Sequence, residues 1–146
     1  MIVLGCDSAG IELKKHIIQF LDEKGYEYLD CGEHKDYPDI AETVCSKIVS
    51  GEADKGILVC GTGIGISMAA NKVKGIRAAA CSDYFSAKYT RLHNDANVLC
   101  LGGRVIAHGL ASELVNIFLT TEFEGGRHAA RVEKIMKLED KRYGNA

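Results

Sequence analysis

The chain has 146 residues, 47% of them apolar and 26% charged, with a net charge of −2. That length suits one domain, here residues 1–146, which can bury roughly 70% of its unfolded surface, and it leaves little room for a second catalytic domain. The near-neutral charge gives no long-range pull toward nucleic acid or an anionic membrane, no apolar run reaches the ~18 to 20 residues of a bilayer span, and MIVLGCDSAG lacks a basic leader; the expected location is cytoplasmic.

Short β-branched and apolar runs alternate with segments of helical period, the pattern of βα units around a parallel sheet. The predicted strands are Met1 to Cys6, Tyr26 to Cys31, Gly56 to Cys60, Ile76 to Cys81 and Asn97 to Leu101, four of the five ending in cysteine. After the first strand, Leu13, Ile17, Phe20 and Leu21 make an apolar stripe stopped by Gly25, and Pro38 opens the second helix near its first turn. Leu110, Leu114, Ile117 and Phe118 mark a fifth helix. A last one, over about residues 127–143, follows the break at Gly125 and Gly126 and carries Val132, Ile135 and Met136. The fold class expected is a three-layer α/β/α sandwich around a five-stranded parallel sheet, Rossmann-like.

In such sheets ligands bind beyond the carboxyl ends of the strands. The richest of these ends is Cys60-Gly61-Thr62-Gly63-Ile64-Gly65, where alternating glycines let the backbone come close to a ligand and turn its amides inward ahead of a helix. The loop lacks the Lys-Ser/Thr of a Walker A motif, and its third glycine falls one residue early for the dinucleotide fingerprint. It reads as an anion cradle, or as no more than a tight strand-to-helix turn. Cys60 heads it, where amides and a helix start favour thiolate, so it is a candidate base or nucleophile. A phosphatase loop of the C-x5-R type needs arginine at position 66, which is Ile66. The remaining cysteines, Cys6, Cys31, Cys45, Cys81 and Cys100, read as small buried hydrophobes. The six show no C-x-x-C pair and the five histidines no H-x-x-x-H spacing, so neither a disulfide framework nor a metal site is expected.

His93, in His93-Asn94-Asp95-Ala96-Asn97, can shuttle a proton or cap a helix, while His16, His34 and His108 read as surface or packing residues. Arg127 and Arg131, four apart beside Gly126 and His128, share a helix face that suits phosphate or is merely solvated.

These segments, together with Gly5-Cys6-Asp7, Ala9-Gly10, Asp36-Tyr37-Pro38, Ala70-Asn71-Lys72, Gly75-Ile76-Arg77-Ala78, Gly103-Arg104 and Glu124-Gly125-Gly126-Arg127-His128, closely resemble the type B ribose-5-phosphate isomerases. That family also contains galactose-6-phosphate and allose-6-phosphate isomerases, and the match runs in order from residue 1 to about residue 140. The resemblance implies a cofactor-free, metal-free aldose-ketose isomerase of the non-oxidative pentose phosphate pathway. It also implies a homodimer, or a tetramer of two such dimers, with sites shared between subunits and the C-terminal helix touching the partner. Residue by residue it implies Cys60 as the base between C2 and C1, the Gly61, Thr62, Gly63, Ile64 and Gly65 amides as the enediolate cradle, and Thr62 as a hydroxyl helper. His93 matches the ring-opening group with Asp7 nearby, Asn94 and Tyr37 match contacts to sugar hydroxyls, and Arg104, Arg127 and Arg131 match phosphate ligands. Ser8 departs from the histidine that many members carry beside that aspartate, which makes hexose phosphates the rival substrates. A non-catalytic nucleotide or sugar-phosphate sensor is the rival from another class.

Overall fold

The computed structural model describes residues 1–144. Its strands are β1 (Ile2–Cys6), β2 (Tyr28–Glu33), β3 (Lys55–Cys60), β4 (Ala78–Ala80) and β5 (Val98–Gly102), and its helices are α1 (Ile11–Lys24), α2 (Tyr37–Val49), α3 (Ile64–Ala70), α4 (Tyr84–Asn94), α5 (His108–Thr120) and α6 (Arg127–Lys137). The strands form one parallel sheet in the order β2-β1-β3-β5-β4.

Strand order and handedness together fix the layers. The steps β1 to β2 and β4 to β5 run one way along the sheet, and β2 to β3 and β3 to β4 run the other. Right-handed crossovers therefore place α1 and α4 on one face and α2 and α3 on the opposite face. Alternating strand residues feed the two cores. Leu4, Ile57, Val59, Leu99 and Leu101 pack with Leu13, Ile17, Leu114 and Phe118. Val3, Leu58, Cys60, Val98 and Cys100 pack with Ile40, Val44, Cys45 and Ile66. Covered on both sides, the central strands read as continuous apolar runs, which is why they stand out in the sequence. The α5 helix packs against α1 and α4, and α6 lies against α4.

The three-layer sandwich is as the sequence predicts, but several boundaries differ. Gly25 ends α1 at φ +76°, with its amide on the Asp22 and Leu21 carbonyls, and two residues are then spent reaching the sheet, so β2 begins at Tyr28. Ile76 is held in a turn by the Val73 carbonyl, leaving β4 only three residues long. Two strands rather than four thus end in cysteine, β1 and β3. Cys31 sits on edge strand β2, half-buried at the margin of the core it packs against. The last helix stops at Lys137 and gives way to a short 3₁₀ turn over Leu138–Asp140, well before residue 143, because beyond Leu138 the sequence has no apolar residue to bury until Tyr143.

Candidate active site

The chain leaves β1 and β3 in opposite directions, opening a crevice at their carboxyl ends. Three loops close on it. The Asp7 amide donates to the Val59 carbonyl at 3.1 Å, and the Gly103 and Arg104 amides donate to the Cys60 and Gly61 carbonyls at 2.8 and 3.0 Å. The loop after β3 is thereby held from both sides.

Cys60 is the last residue of β3, only 4% exposed, and its Sγ accepts the Gly63 N–H at 3.1 Å. That bond requires the loop to double back. Gly63 does so at φ +80°, and a Cβ there would lie 2.9 Å from the Leu101 carbonyl carbon and 3.2 Å from the Cys100 oxygen, so both conformation and space demand glycine. The Ile64 amide is likewise committed, donating to Thr62 Oγ1 at 3.1 Å. Among the described residues the amides of Gly61, Thr62 and Gly65 have no acceptor, so the open cradle is narrower than the five amides expected from Gly61 to Gly65.

The other cysteines are unsuited to proton transfer. Burial pushes Cys6 and Cys81 up to about 11 and Cys45 up to about 12, and it raises Cys31 and Cys100 as well, so all five stay thiols at neutral pH.

Other predicted residues gather at the same edge. Asp7 Oδ1 accepts the Ala9 amide at 2.9 Å and caps the short 3₁₀ turn Ser8–Gly10, which leaves Ser8 exposed. The Tyr37 ring, from the start of α2, lies so close over Gly65 that a Cβ there would be 2.8 Å from its Cζ. The Arg104 guanidinium passes Gly61, its Nη1 3.4 Å from where a Cβ would stand, and it has no ion-pair partner among the described residues.

His93 and Asn94 lie elsewhere. They end α4, which runs antiparallel to the strands, and only Asp95 to Asn97 connect them to the first residue of β5. Gly56 pairs with Val98 at one end of the β3/β5 ladder and Cys60 with Gly102 at the other. Four residue steps, roughly 13 Å of strand, separate the two edges. Within one chain His93 therefore stands at the edge opposite Asp7, the residue that the resemblance places near it in a site shared between subunits.

The exit from α4 is firmly built. Asp95 adopts φ 48°, a left-handed conformation that costs a non-glycine residue energy. Buried Arg91 grips its carboxylate at 2.8 Å and the Ala96 carbonyl at 2.7 Å, while Arg77 donates to the Asn94 and Asp95 carbonyls at 3.1 and 2.8 Å.

Two residues not singled out as site residues complete this second cluster. The Glu124 amide donates to the Leu92 carbonyl at 3.0 Å, and its carboxylate stands 3.9 Å from His93 Nε2 and 4.0 Å from His128 Nε2. The His93 and His128 rings stack at 4.0 Å, and Tyr89 meets His93 edge-on at 5.0 Å. His128 is buried, and its Nε2 has no hydrogen-bond partner among the described residues. Burial first, then His93, Arg127 and Arg131, hold His128 below the usual histidine range against the pull of Glu124. Arg127 and Arg131 are exposed in the first turns of α6 at this same edge. A spacing of thirty-one residues between His93 and Glu124 hides the cluster from any local motif.

A doubly wound sheet with a thiol and open amides at its switch point is the arrangement in which α/β proteins bind small ligands. The chain belongs to the ribose/galactose isomerase family, whose sequence model matches residues 2–135. It is 48% identical to ribose-5-phosphate isomerase B of Escherichia coli, over 97% of both chains. It is 49% identical to D-erythrulose-4-phosphate isomerase of Pectobacterium atrosepticum, over 92% of this chain and 91% of that one. The structure of Clostridium thermocellum ribose-5-phosphate isomerase B superposes with a TM-score of 0.93 at 50% identity, covering 95% of this chain and 97% of that one. No described helix is long and apolar enough to cross a membrane.

Proposed function

We propose that the chain is a cytoplasmic enzyme interconverting D-ribose 5-phosphate and D-ribulose 5-phosphate through an enediolate, in the non-oxidative pentose phosphate pathway. The observation that carries this reading is the Cys60 sulfur, fixed by the Gly63 N–H at the head of a loop with amides to spare. Moving a proton between adjacent carbons needs one positioned base and fixed donors where negative charge develops. Cys60 takes the proton from C2 and returns it to C1. The Gly61, Thr62 and Gly65 amides, with the Thr62 hydroxyl, hold the enediolate oxygens. His93 opens the furanose ring with Asp7 beside it, Ser8, Tyr37 and Asn94 contact the sugar, and Arg104, Arg127 and Arg131 take the phosphate.

In this reading the site is completed by a second copy, because His93 and the α6 arginines sit at the wrong edge of their own sheet. A groove supports that arrangement. One cavity of about 260 Å³ is lined by Thr62, Ile64, Ala80, Cys81 and Val105, and another of about 340 Å³ by Ala80, Cys81, Phe85, His93 and Asn94. Sharing Ala80 and Cys81, they run along edge strand β4 from one cluster to the other. Ile64 and Phe85, which line the groove, are 53% and 67% exposed, an apolar border suited to burial. A two-fold axis across this groove brings the His93 of one copy to the Thr62 of the other.

The reading is tested by kcat/KM on ribose 5-phosphate against allose, galactose and erythrulose phosphates. A preference for ribose 5-phosphate is expected, and a preference for a hexose phosphate would overturn it. Proton exchange at C2 in deuterated water separates an enzyme from a sensor, which would bind without exchange. Arg127→Ala and Arg131→Ala are each expected to raise KM by the equivalent of about 1 to 3 kcal/mol with little change in kcat. Unchanged KM in both would remove them from the site.

A further inference from the structure

We propose that His93, Glu124 and His128 form a three-point site for a divalent transition-metal ion of the zinc class, and that filling it withdraws His93 from catalysis. The second half rests on the role given above to His93; the first half stands without it.

The three residues offer two imidazole nitrogens and a carboxylate oxygen, and these ligand atoms all lie within 4.8 Å of one another. Zinc binds such donors at about 2.0 to 2.2 Å, which places neighbouring ligand atoms roughly 3.4 Å apart in a tetrahedron. The nearest contacts, 3.9 Å from His93 Nε2 to Glu124 Oε2 and 4.0 Å from His128 Nε2 to Glu124 Oε1, are to different oxygens and exceed this by about half an ångström, so the carboxylate must turn as the site closes. Glu124 is exposed and the His93 side chain is 35% exposed, so both can turn, His93 leaving its stack to aim its Nε2 at the ion. His128 need not move.

His128 is also the independent reason to expect a ligand. Its Nε2 is buried without a partner, and a buried polar atom left unpaired is costly. It faces the Glu124 carboxylate from beyond hydrogen-bonding distance, where an ion held between them would satisfy both. The framework is rigid: the Glu124 amide is clipped to the Leu92 carbonyl, next to His93, and His128 starts on the first turn of α6. All three ligands come from one chain, so the site does not depend on dimerisation.

Arg127 and Arg131, on the first turns of α6 beside His128, repel a dication. Three protein ligands among cations make a weaker site than a four-ligand structural zinc centre, and one that exchanges its metal.

The test is titration of the metal-stripped full chain with cobalt(II), read by its visible ligand-field absorption, then competition with zinc. One cobalt per chain is expected, displaced by zinc. Glu124→Gln, a change at an exposed side chain that leaves the fold alone, weakens binding by at least about tenfold, and His128→Gln removes it. Cys60→Ser leaves the absorption unchanged. The metal site is overturned if no saturable binding occurs into the millimolar range, if Glu124→Gln binds like wild type, or if Cys60→Ser abolishes the signal, which would put the metal on sulfur. Zinc should also inhibit isomerisation, reversibly with chelator and not in Glu124→Gln. Stoichiometric cobalt binding without zinc inhibition would overturn the link to His93 while leaving the metal site standing.

Discussion

Replacing Cys60 by alanine is expected to lower kcat by about 10² to 10⁴-fold while KM changes little, the signature of losing a proton-transfer group that the bound substrate does not otherwise need. The loop survives the change, since the Gly103 and Arg104 amides still hold the Cys60 and Gly61 carbonyls at 2.8 and 3.0 Å. No other thiol can substitute, because burial holds Cys6, Cys45, Cys81 and Cys100 protonated and places them in the two cores. Cys60→Ser makes a sharper control. A hydroxyl can still accept the Gly63 N–H but is a far poorer base, so it should be as inactive as alanine with better-preserved stability. A coupled assay with a thermal melt reads both, and full activity in either variant would remove Cys60 from the chemistry.

The second large effect is expected at Gly63, where stability and activity fall together in Gly63→Ala. A left-handed φ of +80° costs an L-residue about 1 to 2 kcal/mol. The new Cβ also arrives 2.9 Å from the Leu101 carbonyl carbon and 3.2 Å from the Gly102 nitrogen, backbone of a central strand that cannot yield. Together these cost about 3 kcal/mol or more, and relief of the clash shifts the very N–H that holds the Cys60 sulfur. Gly25 provides the comparison. It has a similar φ of +76° with nothing within 4 Å of its Cβ position, so Gly25→Ala bears the conformational cost alone. Denaturant melts of the two variants should differ by at least about 1 kcal/mol, with activity lost only in Gly63→Ala. Equal destabilisation would show that the loop is not pinned against β5.

Periodicity made most of the architecture readable. Strands buried on both faces, such as Ile57 to Cys60, and helices with a single stripe, such as Leu13 to Leu21, declare themselves because burial leaves a repeating pattern. Edge strands do not, and the misplaced ends of β2 and β4 are both at edges, where turns after Gly25 and around Ile76 decide the boundary. The upper half of the candidate site was readable for a related reason. Once strands end at known places, a parallel sheet puts Asp7, Cys60 and Arg104 at one edge whatever else the chain does. The lower half was not. The same rule that gathers loops after strands sends His93 and Asn94, at the end of a helix, to the opposite edge, and motif order along the chain carries no record of that. The meeting of Glu124 and His128 with His93 was hidden more deeply, since it depends on the Glu124 amide reaching the Leu92 carbonyl and on α6 packing against α4.

The central claim is a proton-transfer site assembled from two copies of this chain, with Cys60 supplied by one and His93 by the other. The most direct measurement mixes two weakly active variants, Cys60→Ala and His93→Ala, after unfolding and refolding them together at equal concentration. In a shared-site dimer, half of the molecules are hybrids, and each hybrid carries one doubly damaged site and one intact site. Ribose 5-phosphate isomerase activity should then rise to about a quarter of wild type, well above the sum of the separate variants. Activity that stays at that sum, with hybrid dimers demonstrably formed, would contradict the account.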